Sequence, residues 1–208
     1  MSRLAVAYAL CCALILASAV ALSADQAVAP IPASAFSEYP IKTQQTDARY
    51  ITSGPDGALW FSELSSSQIG RIATDGTLTE FAVRGDVHPN GITTGPDGNL
   101  WFTLDDSDVS RIGRITPSGT ITLFTFPNSG IDYLYLSGIA AGPDGNLWFT
   151  YQDFTTNVNA IGRITPSGTI TLTQTPTANS GPADITAGPD GNMWFTEAVG
   201  NIGRITTS

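Results

Sequence analysis

Two adjoining stretches decide the fold: Ile92-Thr93-Thr94-Gly95-Pro96-Asp97-Gly98-Asn99-Leu100-Trp101-Phe102-Thr103, and Ile112-Gly113-Arg114-Ile115-Thr116-Pro117-Ser118-Gly119-Thr120-Ile121-Thr122-Leu123-Phe124. Ile-Thr-Thr is a short β-prone piece. In Pro96-Asp97-Gly98 the proline presets φ for the first turn position and the glycine takes the left-handed one, so the chain reverses. Asn99 to Thr103 is aromatic and β-branched and reads as the returning strand. Ile112 to Thr116 reads as a third strand, Pro117-Ser118-Gly119 as a second turn, and Thr120 to Phe124 as a fourth strand.

Working outward, the same unit recurs along the chain. Gly-Pro-Asp-Gly begins at Gly54, Gly95, Gly142 and Gly188, at intervals of 41, 47 and 46 residues. A Trp-Phe pair follows each copy, at Trp60-Phe61, Trp101-Phe102, Trp148-Phe149 and Trp194-Phe195, and these pairs hold every tryptophan. Ile-Gly-Arg-Ile then recurs at Ile69, Ile112, Ile161 and Ile202. Four short strands and one aromatic pair per unit of this length match a β-propeller blade. A β-helical solenoid is the rival, but its coils are shorter and its turns less regular. The expected fold is therefore all-β, a β-propeller of four-stranded antiparallel blades, with four blades in residues 36–208. The Trp-Phe pairs are expected in the core between blades. The repeated arginines Arg71, Arg114, Arg163 and Arg204 are expected to pack against tryptophan or the turn aspartate.

The phase of the repeat adds an expectation about closure. Phe36-Ser37-Glu38-Tyr39-Pro40 is similar to Leu78-Thr79-Glu80-Phe81-Ala82, the fourth strand of the first repeat, whereas the fourth repeat runs only to Ile205-Thr206-Thr207-Ser208. An orphan strand at 36–40 completing the last blade would remove an open sheet edge. A small closed ring, a piece of a longer propeller and a partial propeller closed by self-association are all compatible with this phase.

The 208 residues are 42% hydrophobic and only 13% charged, against about 25% charged in a typical soluble domain. With 21 glycines and 13 prolines, this favours many short strands over a helical bundle. The net charge of −9 speaks against an electrostatic grip on nucleic acid or an anionic membrane. One histidine and the adjacent Cys11 and Cys12 leave no set for a Cys/His zinc site or a disulfide framework. Residues 1–24 read as an export signal: Arg3, then an apolar run from Leu4 to Leu22, with small residues at Ala17-Ser18-Ala19 and Leu22-Ser23-Ala24. An uncleaved anchor is the alternative, since the run can just span a bilayer. Residues 25–35, rich in Ala and Pro, read as a linker. The chain is expected in the periplasm or outside the cell, with no membrane contact after cleavage.

The repeats, read as ITTGPDGNLWFT and IGRITPSGTITLF, resemble those of the streptogramin B lyases (virginiamycin B lyase-like proteins), and the resemblance covers Phe36 to Ser208. It implies a seven-bladed propeller fold and a carbon–oxygen lyase that opens a cyclic depsipeptide antibiotic with magnesium and a histidine base. The implied site is a carboxylate two residues before a histidine, just ahead of a first-strand Ile-Thr, plus a glutamate ending the second strand of that blade. At the histidine position stand Arg49, Asn90, Ser137 and Ala183, and at the carboxylate position Asp47, His88, Tyr135 and Gly181. The second-strand glutamate is present as Glu63 and Glu197 but is Leu104 and Tyr151 elsewhere. Arginine is not a general base at neutral pH. The resemblance therefore implies a family propeller without the full lyase set, with the magnesium-dependent lyase as the alternative.

Without any family, topology places the variable connections on one rim: Leu64 to Gln68, Leu104 to Arg111, Tyr151 to Ala160, Arg84 to Asn90 and Pro127 to Ser137. Variable loops on a rigid scaffold usually carry binding, so a small molecule or peptide is expected there. His88 in this region is a candidate base, paired with Asp86, or a solvated loop residue. Asp105, Asp106 and Asp108 form an acidic cluster able to hold Ca²⁺ or Mg²⁺, or are simply solvated. Glu63 and Glu197 either share a divalent ion such as Mg²⁺ or pair with the repeated arginines. Tyr133, Tyr135 and Phe154 are candidates for stacking on a sugar or peptide, or for packing over the rim.

Overall fold

The computed structural model describes residues 33–106, 111–126 and 134–208, so the proposed export signal and most of the proposed linker lie outside the described residues. Residues up to Tyr39 form a unit of their own, with a single 3-10 turn at Ala33–Ala35 among those described. Residues Pro40–Ser208 form the second unit, whose described residues hold β-strands and, besides them, a 3-10 turn at Leu64–Ser66.

Four antiparallel meanders make up this unit. The first sheet contains β1 (Ala48–Ser53), β2 (Leu59–Glu63), β3 (Gln68–Ile72) and β4 (Leu78–Ala82), side by side in that order. The second contains β5 (Val87–Thr94), β6 (Leu100–Asp106), β7 (Arg111–Ile115) and β8 (Ile121–Thr125). The third contains β9 (Leu134–Ala141), β10 (Leu147–Asp153), β11 (Val158–Ile164) and β12 (Ile170–Gln174). The fourth has three strands, β13 (Pro182–Ala187), β14 (Met193–Glu197) and β15 (Asn201–Ile205). Each repeat is thus one blade. The orphan strand expected at 36–40 does not form. Residues 36–40 carry no strand and the fourth sheet keeps three. Pro40 offers no ladder donor, and no tight turn fixes the register of so remote a segment.

Consecutive blades pack through one repeated set of side chains. The trailing face of a blade supplies its tryptophan and the first isoleucine of Ile-Gly-Arg-Ile. The leading face of the next supplies the first-strand isoleucine, the residue before the tryptophan, the phenylalanine after it and the second isoleucine. Between blades one and two these are Trp60 and Ile69 against Ile92, Leu100, Phe102 and Ile115. Between two and three they are Trp101 and Ile112 against Ile139, Leu147, Phe149 and Ile164. Between three and four they are Trp148 and Ile161 against Ile185, Met193, Phe195 and Ile205. The period-2 alternation of each strand sends these residues to opposite faces, so every blade is apolar on both sides.

The repeated polar residues brace the tryptophans. The turn aspartate accepts a hydrogen bond from the indole Nε1 four residues on, at 3.0 Å (Asp56–Trp60), 2.9 Å (Asp97–Trp101), 3.0 Å (Asp144–Trp148) and 2.9 Å (Asp190–Trp194). The arginine of Ile-Gly-Arg-Ile lies over the same ring, 5.5–5.9 Å from its centroid in all four blades. It also reaches the turn aspartate in three, as in Arg71–Asp56 at 2.7 Å. Burial raises the Asp97 carboxyl, but bonds from Trp101 and Asn99 outweigh it and hold the group below its usual value. The expectation that the arginines pack against tryptophan or turn aspartate is met in both forms.

Candidate functional site

The rim opposite the Pro-Asp-Gly turns gathers the starts of the first strands and the ends of the second. Every first strand carries a β-bulge there. Arg49-Tyr50 together oppose Ser62, Asn90-Gly91 oppose Thr103, Ser137-Gly138 oppose Thr150, and Ala183-Asp184 oppose Thr196. A bulge re-aims the side chain at the extra residue and bends the strand. Its first residue is the position at which the resemblance implies a histidine, so the backbone of all four blades presents that position in the same way.

The bulges are tied to the neighbouring blade. Thr103 donates its hydroxyl to the Ser137 carbonyl at 2.9 Å, and Thr150 donates to the Ala183 carbonyl at 3.1 Å. Gly91 follows the bulge residue because the first strand of blade three passes close by: a Cβ there would sit 2.3 Å from the Ser137 carbonyl oxygen. Asn90 is buried and donates its amide to the Tyr135 hydroxyl at 3.3 Å and the Leu136 carbonyl at 3.2 Å. Its Oδ1 is buried without a partner.

Several expected loop residues turn out to be strand residues. His88 and Asp105 face one another across β5 and β6, Asp106 ends β6 opposite Val87, and Tyr135 lies in β9. The cause is that the middle blades extend their ladders beyond the bulge, so these groups ride on paired backbone rather than on flexible connections. His88 therefore has Asp105 as its cross-strand neighbour, in place of the expected Asp86 alone. Asp108 and Tyr133 lie outside the described residues. Phe154 is exposed in the turn after β10, where Asp153 accepts the backbone N–H groups of Thr155 at 2.8 Å and Thr156 at 3.0 Å.

Glu63 and Glu197 occupy matching places in the first and fourth sheets, with two whole sheets between them. Glu63 is fully buried. Its Oε2 accepts the Ser66 hydroxyl at 3.0 Å and its Oε1 has no partner. Glu197 accepts the Asn201 amide at 3.2 Å. Neither pairs with a repeated arginine. The register sets Glu63 opposite Gln68 and Trp60 opposite Arg71, three residues, or about 10 Å, further along the strand. Asp47 adopts a left-handed φ of 47° and binds the Arg49 guanidinium Nε at 3.2 Å. Among the described residues no three of His, Cys, Asp and Glu gather as a metal-binding group.

Burial, helped by the Glu80 charge, pushes the Glu63 carboxyl above its ordinary value, although the Ser66 bond opposes it. The raised group favours the fold while protonated, below the unfolded pKa of about 4.3, and this benefit is lost as pH rises through the folded value. Glu63→Gln, which keeps the shape without the charge, is expected to raise the melting temperature at pH 7 by a few degrees. That gain should vanish near pH 4. Melting curves of both proteins across this range check the sign, and an equal difference at both pH values would contradict it.

Comparison with known proteins fits this architecture. The sequence pattern of the virginiamycin B lyase family matches residues 8–208. The chain belongs to that family. A virginiamycin B lyase from Nocardia farcinica (strain IFM 10152) is 35% identical over 75 residues, covering 36% of this chain and 25% of the relative. The structure of a catalytically inactive virginiamycin B lyase from Staphylococcus aureus with quinupristin superposes with a TM-score of 0.72 at 40% identity, covering 83% of this chain and 56% of that one. A streptogramin B lyase structure gives a TM-score of 0.69 at 33% identity, covering 83% and 58%. This virginiamycin B lyase family member thus spans little more than half the length of its solved relatives.

Proposed function

We propose that this chain is an exported propeller of the virginiamycin B lyase family that binds a small molecule or peptide on its bulge-bearing rim and does not open cyclic depsipeptides. One observation carries the reading. In blade one, where Asp47 and Glu63 stand at the two carboxylate positions, the base position is Arg49, and its guanidinium is held on Asp47 at 3.2 Å. An always-protonated side chain cannot take a proton from carbon.

The same groups do not fit a magnesium ion as placed. Magnesium wants near-octahedral oxygen ligands and keeps several waters. Here Glu63 is sealed from solvent while Asp47 is half-exposed and already paired with a cation. Blades two and three lack the glutamate, and blade four has Ala183 at the base position. Membership of the family favours one competing reading, a magnesium-dependent lyase with Glu63 and Glu197 as ligands and His88 as base.

One assay separates the two. The purified chain is incubated with a streptogramin B depsipeptide with and without Mg²⁺, and ring opening is followed by chromatography. No turnover above background is expected. Mg²⁺-dependent opening that disappears in Glu197→Gln and His88→Ala would overturn the proposal.

A further inference from the structure

We propose that the groove between blades three and four binds a small aromatic carboxylate, with Thr173 leaving room for the ring beside Trp148 and Arg163 taking the acid group. The groove lies toward the Pro-Ser-Gly turns, away from the bulge-bearing rim, so the inference does not depend on the rim reading.

One cross-strand row repeats on the trailing faces of the blades. It holds Trp60, Arg71 and Thr79 in blade one, Trp101, Arg114 and Thr122 in blade two, and Trp148, Arg163 and Thr171 in blade three. Two residues further along the fourth strand, blades one and two carry Phe81 and Phe124, which stack on the tryptophan at 5.4 and 5.3 Å. The following blade leaves space for these rings, since a Cβ at Gly119 or Gly168 would stand 2.3 or 2.4 Å from them. Blade three breaks the pattern with Thr173, which stands opposite Ile161 as Phe124 stands opposite Ile112. A groove of about 350 Å³ lies there, with Trp148, Arg163, Thr171 and Thr173 on one wall and residues 205–208 on the other. Ligand sites run from about 300 to 1,000 Å³, so this one suits a small molecule. The gap follows from the side chain at residue 173, within blade three.

The arginine of the row differs in the same blade. Arg71, Arg114 and Arg204 reach a turn aspartate at 2.7, 3.7 and 3.4 Å, and Arg114 also donates to the Pro166 carbonyl of the next blade at 3.1 Å. Arg163 lies over the Trp148 ring at 5.8 Å, but among the described residues its guanidinium meets no carboxylate and no hydrogen-bond acceptor. A half-buried guanidinium with its donor fork unused favours a carboxylate, which it binds through two parallel hydrogen bonds. A ring beside Trp148 takes the place that Phe124 holds in blade two, where it lies against both Trp101 and Arg114, 5.6 Å from the guanidinium. An acid on a short alkyl arm attached to a ring satisfies both groups at once.

Calorimetric titration of the full chain with hydrocinnamate should show a single site, with a dissociation constant of roughly a millimolar or below for so small a ligand. Hydrocinnamyl alcohol keeps the ring without the charge, and propionate keeps the charge without the ring; each should bind about tenfold or more weakly. Thr173→Phe supplies the ring from the chain itself, as in blades one and two. This variant should fold, melt about 2–4 °C higher and lose the binding. Arg163→Met should bind the acid no better than the alcohol. Absence of binding to the wild-type protein would overturn the proposal and, beside a higher-melting Thr173→Phe, would mean a packing gap only. Binding that survives Thr173→Phe, or that ignores the charge, would overturn it as well, by placing the ligand elsewhere, such as the bulge-bearing rim.

Discussion

Trp101→Ala is expected to be the most damaging single truncation in the chain, costing about 3–5 kcal/mol and lowering the melting temperature by roughly 10 °C or more. Trp101 is fully buried and stacked on Phe124 at 5.3 Å, under the Arg114 guanidinium and bonded to Asp97. It also packs into the cluster that joins blades two and three. Its loss opens a cavity, leaves the Asp97 carboxylate without its indole donor and weakens a contact between neighbouring repeats, on which an array of this kind depends. Trp194→Ala supplies the internal control. Trp194 keeps the aspartate bond and the arginine but is only half-buried, and its blade has no fourth strand to stack on it. Its truncation should cost less than half as much. Thermal melts of the two variants check the order; equal losses would mean that blade-to-blade packing does not set the cost.

Gly113→Ala is expected to be nearly as harmful, at the upper end of the roughly 1–3 kcal/mol typical of overpacking. A Cβ at Gly113 would stand 2.2 Å from the Phe102 ring. That ring is fully buried between its own sheet and blade one, so it has nowhere to go. Gly70 makes the same approach to Phe61, at 2.1 Å. Phe61 is buried as well, at 7% exposure. Gly70→Ala should therefore be about as costly, and denaturant midpoints of the pair would show it. The conserved-looking Gly of Ile-Gly-Arg-Ile thus serves a cross-strand aromatic, not a turn.

These contrasts explain how much of the molecule could be read from its residues. The blade itself was legible because its signals are local: Pro-Asp-Gly reverses the chain, and alternation assigns Trp101 and Phe102 to opposite faces. The partners of Arg114 followed from the same repetition. The bulge at Asn90-Gly91 was not legible, because two residues against one is a property of strand pairing and leaves no mark in either strand alone. For the same reason the sequence alone places His88, Asp105 and Tyr135 in loops. Pairing beyond the bulge, which lengthens β5, β6 and β9, depends on the partner strand being there. The segment at 36–40 misled in the opposite way, since its resemblance to Leu78–Ala82 is a propensity, and propensity supplies no partner. Glu63 was singled out by the family pattern, but its burial and unpartnered oxygen needed the fold around it.

The bulge separates what a blade is from what it does. Because the ladder on either side of Arg49, Asn90, Ser137 and Ala183 is held by other residues, those four places tolerate a cation, an amide, a hydroxyl or a methyl without disturbing the sheet. Duplicated repeats can in this way diverge in chemistry one substitution at a time while the scaffold stays constant, so a catalyst and a silent binder need differ at few positions.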